Sequence, residues 1–140
     1  MKITRLLSIM SPLLLVSCGG IKSKFHEDPY GSGGRELPSV SIPVNKEITA
    51  VKHSTGMVPM FGGFRAALFI EDASIVSSKV VHSSSGLVTS TIVQGKKVGK
   101  TKAYYTNAFY LNGDTASVAS PSGMDMIRKG NYFELEVVQE

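Results

Sequence analysis

Residues 132–139 read YFELEVVQ, and this stretch indicates the class of fold. Phe133, Leu135 and Val137 alternate with Tyr132, Glu134 and other residues, so the apolar side chains share one face of an extended chain. A helix would distribute the same positions around its circumference. The stretch therefore predicts a half-buried β-strand.

Similar short runs, rich in β-branched and aromatic residues, recur from residue 48 onward and are separated by glycine or polar clusters. Residues 64–70 form an almost continuous apolar run and predict a central strand. One short helix is favoured, with Ser120 as N-cap, Pro121 at its first position and Gly130 just after its end. The pattern predicts an all-β domain, a small antiparallel barrel or sandwich of about seven strands. The predicted strands cover residues 48–53, 64–71, 75–82, 87–93, 102–111, 115–119 and 132–139.

The segment before these strands has a different composition. Residues 19–46 show no sustained apolar period, and Pro29, Pro38, Pro43 and several glycines interrupt any regular element. We therefore predict a flexible tether over residues 18–46, ahead of a globular domain at 47–140. Deleting residues 31–35 from such a tether is expected to leave the melting temperature unchanged. Alternation within residues 39–44 predicts a short strand. Pro43 has no backbone N–H to donate, so this strand is expected at the edge of a sheet.

The first residues, MKITRLLSIMSPLLLVSC, have the form of an export signal. Lys2 and Arg5 precede an apolar run that is too short to span a bilayer, and the run ends at Cys18. Leu15-Val16-Ser17-Cys18 resembles the lipobox of bacterial lipoproteins. The resemblance implies that a signal peptide, residues 1–17, is removed, that Cys18 is acylated, and that the protein is anchored in the cell envelope. An ordinary secretory signal or an uncleaved anchor are the alternatives.

Removal of the predicted leader changes the charge of the chain, and acylation of Cys18 would leave it without a free thiol. Lys2 and Arg5 belong to the leader, so 13 of the 15 basic side chains remain beside 11 acidic ones, a net charge of +2. Cys18 is the single cysteine, which leaves no disulfide to support the exported domain. By the lipoprotein resemblance, Gly19 after the cysteine implies the outer membrane if the organism has one.

Residues 94–101 read QGKKVGKT and approach a phosphate-binding loop, but Gln94 occupies the place of the leading glycine. A β-rich segment follows where such a loop requires a helix. We interpret the stretch as a lysine-rich hairpin whose glycines permit positive φ. It is a candidate binding site for an anionic polymer or, by stacking, for bases or sugars; the alternative is a solvated turn that discourages strand pairing. The candidate residues are Lys96, Lys97, Lys100, Lys102, Tyr104 and Tyr105.

No other group of residues has the spacing of a catalytic or metal site. The run His26-Glu27-Asp28 falls on the predicted tether, where adjacent ligands are poorly organised for a metal. His82 precedes Ser83-Ser84-Ser85-Gly86, which favours a turn over a hydrolase site because no nucleophile-elbow pattern occurs. The apolar loop Met57–Phe64 either plugs the core or binds an apolar ligand. The sequence therefore predicts no metal and no cofactor.

These observations favour a noncatalytic, lipid-anchored β-domain that serves in assembly or interaction in the cell envelope. Its expected partners are the membrane, through Cys18, and an envelope protein or an anionic polymer; nucleic acid is not favoured. A ligand-capturing barrel is the second hypothesis and a small envelope hydrolase the third. Residues 21–140 carry no motif of a known family.

Overall fold

The structure is a computed structural model that describes residues 20–31, 33–54, 65–82, 88–112 and 117–140. Its strands form two four-stranded sheets, with the orders β1-β3-β6-β5 in the first sheet and β2-β8-β7-β4 in the second. The all-β prediction is confirmed. The elements are β1 (Gly20–Ser23), β2 (Val40–Pro43), β3 (Glu47–Ser54), β4 (Ala66–Ile70), β5 (Val76–His82), β6 (Val88–Gly95), β7 (Gly99–Asn107), a 3₁₀ turn (Ala108–Tyr110), α1 (Pro121–Arg128) and β8 (Tyr132–Val138).

The two sheets pack against each other around a shared apolar core. At one corner the sheets also touch through their backbones, where Val44 bridges to Gly95 and the Asn45 amide donates to the Gly95 carbonyl at 2.8 Å. Of the two predicted architectures, the described strands form a sandwich that is closed at one corner. The core includes Ala50, Val51, Val76 and Val93 from the first sheet and Ile42, Leu68, Tyr105, Phe133, Leu135 and Val137 from the second.

The strand that indicated the fold, β8, follows its prediction. Phe133, Leu135 and Val137 are 0% exposed, whereas Glu134 on the opposite face is exposed. β8 pairs with β7 on one side and with β2 on the other. The β2–β8 pair is parallel, unlike the antiparallel arrangement that the sequence predicts, while β2 is an edge strand as expected.

β4 is fully buried but lies at the edge of its sheet, so the prediction of a central strand is wrong in hydrogen-bonding terms. Among the described strands it pairs only with β7, and the first sheet covers its other side. There the Leu68 amide donates to the Thr91 hydroxyl of β6 at 3.1 Å. This side chain satisfies a buried backbone donor that a neighbouring strand would otherwise satisfy.

Changing Thr91→Val should lower the free energy of unfolding by about 1–3 kcal/mol, because valine keeps the shape and leaves the Leu68 amide buried without an acceptor. Urea unfolding would measure the change, and amide hydrogen exchange would show faster exchange at Leu68. The same substitution at exposed Thr49 of β3 is the matched control, with an expected change within about 0.5 kcal/mol. Equal effects at the two positions would contradict the role of the Thr91 hydroxyl.

β7 ends earlier than the predicted strand at residues 102–111. The Asn107 side-chain oxygen accepts from the Phe109 amide at 3.0 Å, which turns the chain into a 3₁₀ turn and leaves the Phe109 ring 80% exposed. The predicted strand at 115–119 is not found in its described part, where Val118 makes an isolated bridge to Leu111.

α1 is confirmed with its predicted caps. The Ser120 hydroxyl accepts from the Gly123 amide at 3.2 Å, and Pro121 occupies the first position. Ile127 of the helix is buried in a second apolar cluster on the outer face of the second sheet, together with Phe69 and Tyr104. The described residues contain no helix long and apolar enough to cross a membrane.

The prediction of a flexible tether does not hold for residues 20–31 and 33–46. β1 pairs with β3 and β2 pairs with β8. The irregular segment between them, residues 24–31 and 33–39, is here called the strap, and it buries Leu37 against the core. The predicted boundary at residue 46 therefore falls inside the folded unit. The apolar residues of the strap have no regular period because the backbone of the strap follows no regular path. At Gly34 the backbone has a φ of 61°, which favours glycine.

The lysine-rich segment connects two sheets, so it is not a hairpin of paired strands. β6 belongs to the first sheet and β7 to the second, and Lys96–Val98 link them. We call this connection the lysine arch. Positive φ is not the reason for its glycines, since Gly34 is the described glycine with that conformation. A Cβ at Gly95 would instead lie 2.9 Å from Val137 Cγ1 and 3.0 Å from the Pro43 carbonyl oxygen.

Candidate functional site

The candidate lysines lie along β7 and the lysine arch and have different surroundings. Lys96 and Lys97 are exposed on the arch. The Lys100 ammonium lies 3.7 Å from the Glu134 carboxylate, and the Lys102 ammonium lies 5.3 Å from the centre of the Tyr132 ring. Two of the four cations thus already interact with β8. Binding of an anionic polymer by these lysines stays a prediction.

Tyr104 and Tyr105 point to opposite faces of β7, as neighbours in a strand must. Tyr104 joins Lys100 and Lys102 on the outer face, where it is buried beside Tyr132, and burial raises the pKa of its hydroxyl. Tyr105 enters the core and is 2% exposed. The two rings therefore do not form one stacking surface for sugars or bases.

The Tyr105 hydroxyl connects the second sheet to the N-terminal segment. It lies 2.9 Å from the Ser23 hydroxyl and 2.7 Å from Nδ1 of His26, whose Nε2 lies 2.8 Å from the Pro38 carbonyl oxygen. The Phe25 and His26 amides in turn donate to the Ser23 oxygen at 3.1 and 3.2 Å. This is a continuous hydrogen-bonded chain from β1 to the strap through a core tyrosine.

The chemistry of the partners determines the direction of each bond. The Pro38 carbonyl can only accept, so Nε2 of His26 donates to it; in the tautomer that carries its single proton on Nε2, Nδ1 accepts from the Tyr105 hydroxyl. The Tyr105 oxygen then accepts from the Ser23 hydroxyl. Burial raises the pKa of Tyr105 well above its usual value, so the phenol remains a donor. The chain of bonds therefore fixes the strap and leaves neither ring nitrogen of His26 without a partner.

An aromatic pocket of about 340 Å³ opens beside this network, within the volume range of small-molecule sites. It lies where β8 has not yet begun. There the Tyr105 amide donates to the Asn131 carbonyl at 2.9 Å. In an antiparallel ladder every second residue directs its backbone polar groups to the same side, so those of Asn107 point to the same side as those of Tyr105. We call it the tyrosine pocket. Its lining residues are Tyr30, Gly31, Tyr105, Thr106, Asn107, Tyr110, Met126, Lys129 and Gly130.

Sequence reasoning missed Ser23, His26 and Tyr30 as structural residues because they fall on the predicted tether. The one signal that was present is the pair of isolated aromatics Phe25 and Tyr30, which is unusual in a solvated linker. The Tyr30 ring packs against Tyr105 with centroids 5.4 Å apart. His26, considered above as a metal ligand, lies with its ring 4.7 Å from that of Phe133.

Other predicted features fall partly or wholly outside the described residues. These are Cys18, the Met57–Phe64 loop and the Ser83–Gly86 run, whereas His82 itself is exposed at the end of β5. Within the ranges that the structure describes, no three His, Cys, Asp or Glu side chains come together as metal ligands.

No protein-family model and no curated protein matches the sequence. Solved structures with a similar arrangement include an S-layer protein, SbsC, with 14% identity over 77% of this chain and a TM-score of 0.38. Domains 4 and 5 of SbsC give 12% identity over 78% of this chain and a TM-score of 0.39. The chain spans 12% and 44% of those two S-layer chains. The cysteine protease inhibitor EhICP2 from Entamoeba histolytica gives 15% identity over 74% of this chain and 94% of its own, with a TM-score of 0.35. Similarities this distant assign no function.

Proposed function

We propose that this protein is a lipid-anchored domain of the bacterial cell envelope with a noncatalytic role in assembly or interaction. The observation that carries the proposal is the leader, in which a basic start and an apolar run end at Cys18, the single cysteine of the chain. A folded β-sandwich follows directly, with β1 beginning at Gly20. In a diderm organism, Gly19 after the cysteine favours the outer membrane.

The chemistry of the buried polar residues supports a noncatalytic role. An activated hydroxyl needs a base that can take its proton and a third group that orients the base. His26 and Tyr105 form a pair of base and hydroxyl, but Tyr105 is buried in the core and both nitrogens of His26 are hydrogen-bonded to fixed partners. The arrangement stabilises the strap, and the Tyr105 oxygen is already bonded to Ser23 and His26.

Changing Cys18→Ala should abolish membrane attachment, because the acylated sulfur is the proposed anchor. We expect the variant to accumulate as uncut precursor or to be released, and the wild-type protein to fractionate with membranes. Mass spectrometry of the N-terminal peptide should show acyl chains on Cys18 of the wild type.

The matched control is Ser17→Ala, which keeps a small residue before the cysteine and should be processed and acylated normally. An unmodified Cys18 on mature, membrane-associated protein would rule out the proposed anchor.

A further inference from the structure

Several strand ends of the first sheet lie side by side, at the point where β1 begins. Gly20 is opposite Ser54, and Ser54 is opposite Val88. On the other side of β6, His82 is opposite Thr89. We call this end of the sandwich the anchor end, because the chain from Cys18 enters the fold there.

The second sheet has its matching end in the same place. β6 and β7 both extend from the lysine arch toward the same end, since Thr91 of β6 contacts Leu68, which is opposite Tyr105 of β7. Val88 and Asn107 therefore lie at one end, roughly 25 Å from the arch at about 3.3 Å per residue. The Arg65 carbonyl accepts from the Ala108 amide at 2.7 Å, which places the start of β4 there too. The 3₁₀ turn and the tyrosine pocket therefore belong to the anchor end.

The anchor end carries two of the three large apolar side chains that are exposed among the described residues. Phe109 of the 3₁₀ turn is 80% exposed and Met126 of α1 is 43% exposed. Tyr110 packs against Phe109, with ring centroids 5.6 Å apart, and lines the tyrosine pocket together with Met126 and exposed Lys129. The third exposed side chain, Val98 at 58%, lies on the lysine arch at the opposite end.

The chain leaves very little length between this surface and the proposed lipid. Only Gly19 separates Cys18 from Gly20, so the two Cα atoms are within about 7 Å of each other even in a fully extended chain. A folded domain attached so closely cannot move away from the bilayer as a domain on a long tether would.

From this geometry we infer that the anchor end rests on the lipid bilayer, with Phe109 and Met126 in contact with the interfacial region. The inference rests on the proposed lipid anchor and adds an orientation to it. Aromatic rings and exposed apolar side chains are stabilised at the boundary between headgroups and acyl chains. Lys129 can extend its ammonium toward the headgroups. The lysine arch then points away from the membrane, toward other envelope components.

The test compares two exposed apolar positions at opposite ends of the sandwich. Phe109→Cys and Val98→Cys are each introduced into the acylated protein, where the sulfur of Cys18 is already consumed, and each is labelled with a small fluorophore. The proteins are reconstituted in vesicles of phosphatidylethanolamine and phosphatidylglycerol that contain a headgroup-nitroxide lipid. We expect the label at position 109 to be quenched several-fold more strongly than the label at position 98.

Equal quenching at the two positions, or stronger quenching at position 98, would overturn the orientation. The mass of the N-terminal peptide from the same preparation tests the anchor separately, so acylated protein with equal quenching contradicts only the orientation. If Cys18 proves unmodified, the proposed anchor fails. The same labels are then read on a chain held at residue 18 by a hexahistidine tag on nickel-chelating lipid, where the same difference is expected and its absence contradicts the inference.

Discussion

Deleting Gly31–Arg35 is expected to lower the melting temperature by about 10 °C or more, because Gly34 and Arg35 are part of the folded strap. The Gly34 amide donates to the Lys129 carbonyl at 2.9 Å, and the Arg35 amide donates to the Asn131 side chain at 3.0 Å. The Tyr132 amide donates to the Arg35 carbonyl at 3.0 Å. Each bond contributes about 1 kcal/mol, and in a domain of this size about 1 kcal/mol changes the melting temperature by 4–8 °C.

The deletion also shortens the strap by roughly 17 Å of extended chain, so the residues on either side cannot both reach their partners. Thermal unfolding followed by circular dichroism measures the effect. Gly33→Ala is the control within the strap, since a Cβ there meets nothing within 4 Å, and it should leave the melting temperature nearly unchanged. A deletion variant that melts within about a degree of the wild type would restore the flexible tether that the sequence predicts.

Changing Phe133→Ala should lower the free energy of unfolding by about 3–5 kcal/mol, the largest effect we expect from a single substitution. Phe133 is 0% exposed in β8. Its ring centre lies 5.7 Å from that of Phe25, 4.7 Å from that of His26 and 5.4 Å from that of Tyr105. Truncation leaves a cavity where the strap meets both sheets, and the rigid strands around it cannot close the space. Urea unfolding measures the loss.

Two further variants show whether the packing of the ring is responsible. Phe133→Leu keeps most of the volume and should cost clearly less than the alanine variant. Glu134→Ala, on the exposed face of the same strand, should change stability by about 0.5 kcal/mol or less. If Phe133→Ala cost no more than Glu134→Ala, the ring could not be a central contact between the strap and the sheets.

Features that depend on neighbouring residues could be predicted from the sequence. The alternation in β8 fixes which of its side chains face the core, and the Ser120 cap with Pro121 marks the start of α1; both signals act within a few residues. The end of β7 was placed too late, because the Asn107 side chain captures the Phe109 amide, and a capping asparagine inside a β-rich run has no distinctive pattern.

The candidate site depends on contacts between residues far apart in the chain. His26 and Tyr105 are 79 positions apart, and their contact requires that the strap crosses the second sheet at one particular place. The sequence shows Tyr104 and Tyr105 as neighbours beside four lysines, whereas the fold sends the two rings to opposite faces. The tyrosine pocket exists because β8 begins at Tyr132 and leaves the last residues of β7 unpaired on that side, although β4 pairs with them on the other.

By itself the sequence determined the β class and the helix with its caps, since each depends on the chemistry of a short continuous stretch; the lipobox-like stretch that ends at Cys18 supports the proposed anchor. Only the tertiary structure decided that residues 24–31 and 33–39 form a strap and that the lysine arch and the exposed Phe109 lie at opposite ends. It also decided that β4 is a buried edge strand whose Leu68 amide donates to the Thr91 hydroxyl. Those outcomes depend on which distant surfaces meet. Burial of apolar surface is favourable in any arrangement that removes it from water. A segment without periodicity can therefore be held as firmly as a strand when its side chains fill a gap in the core.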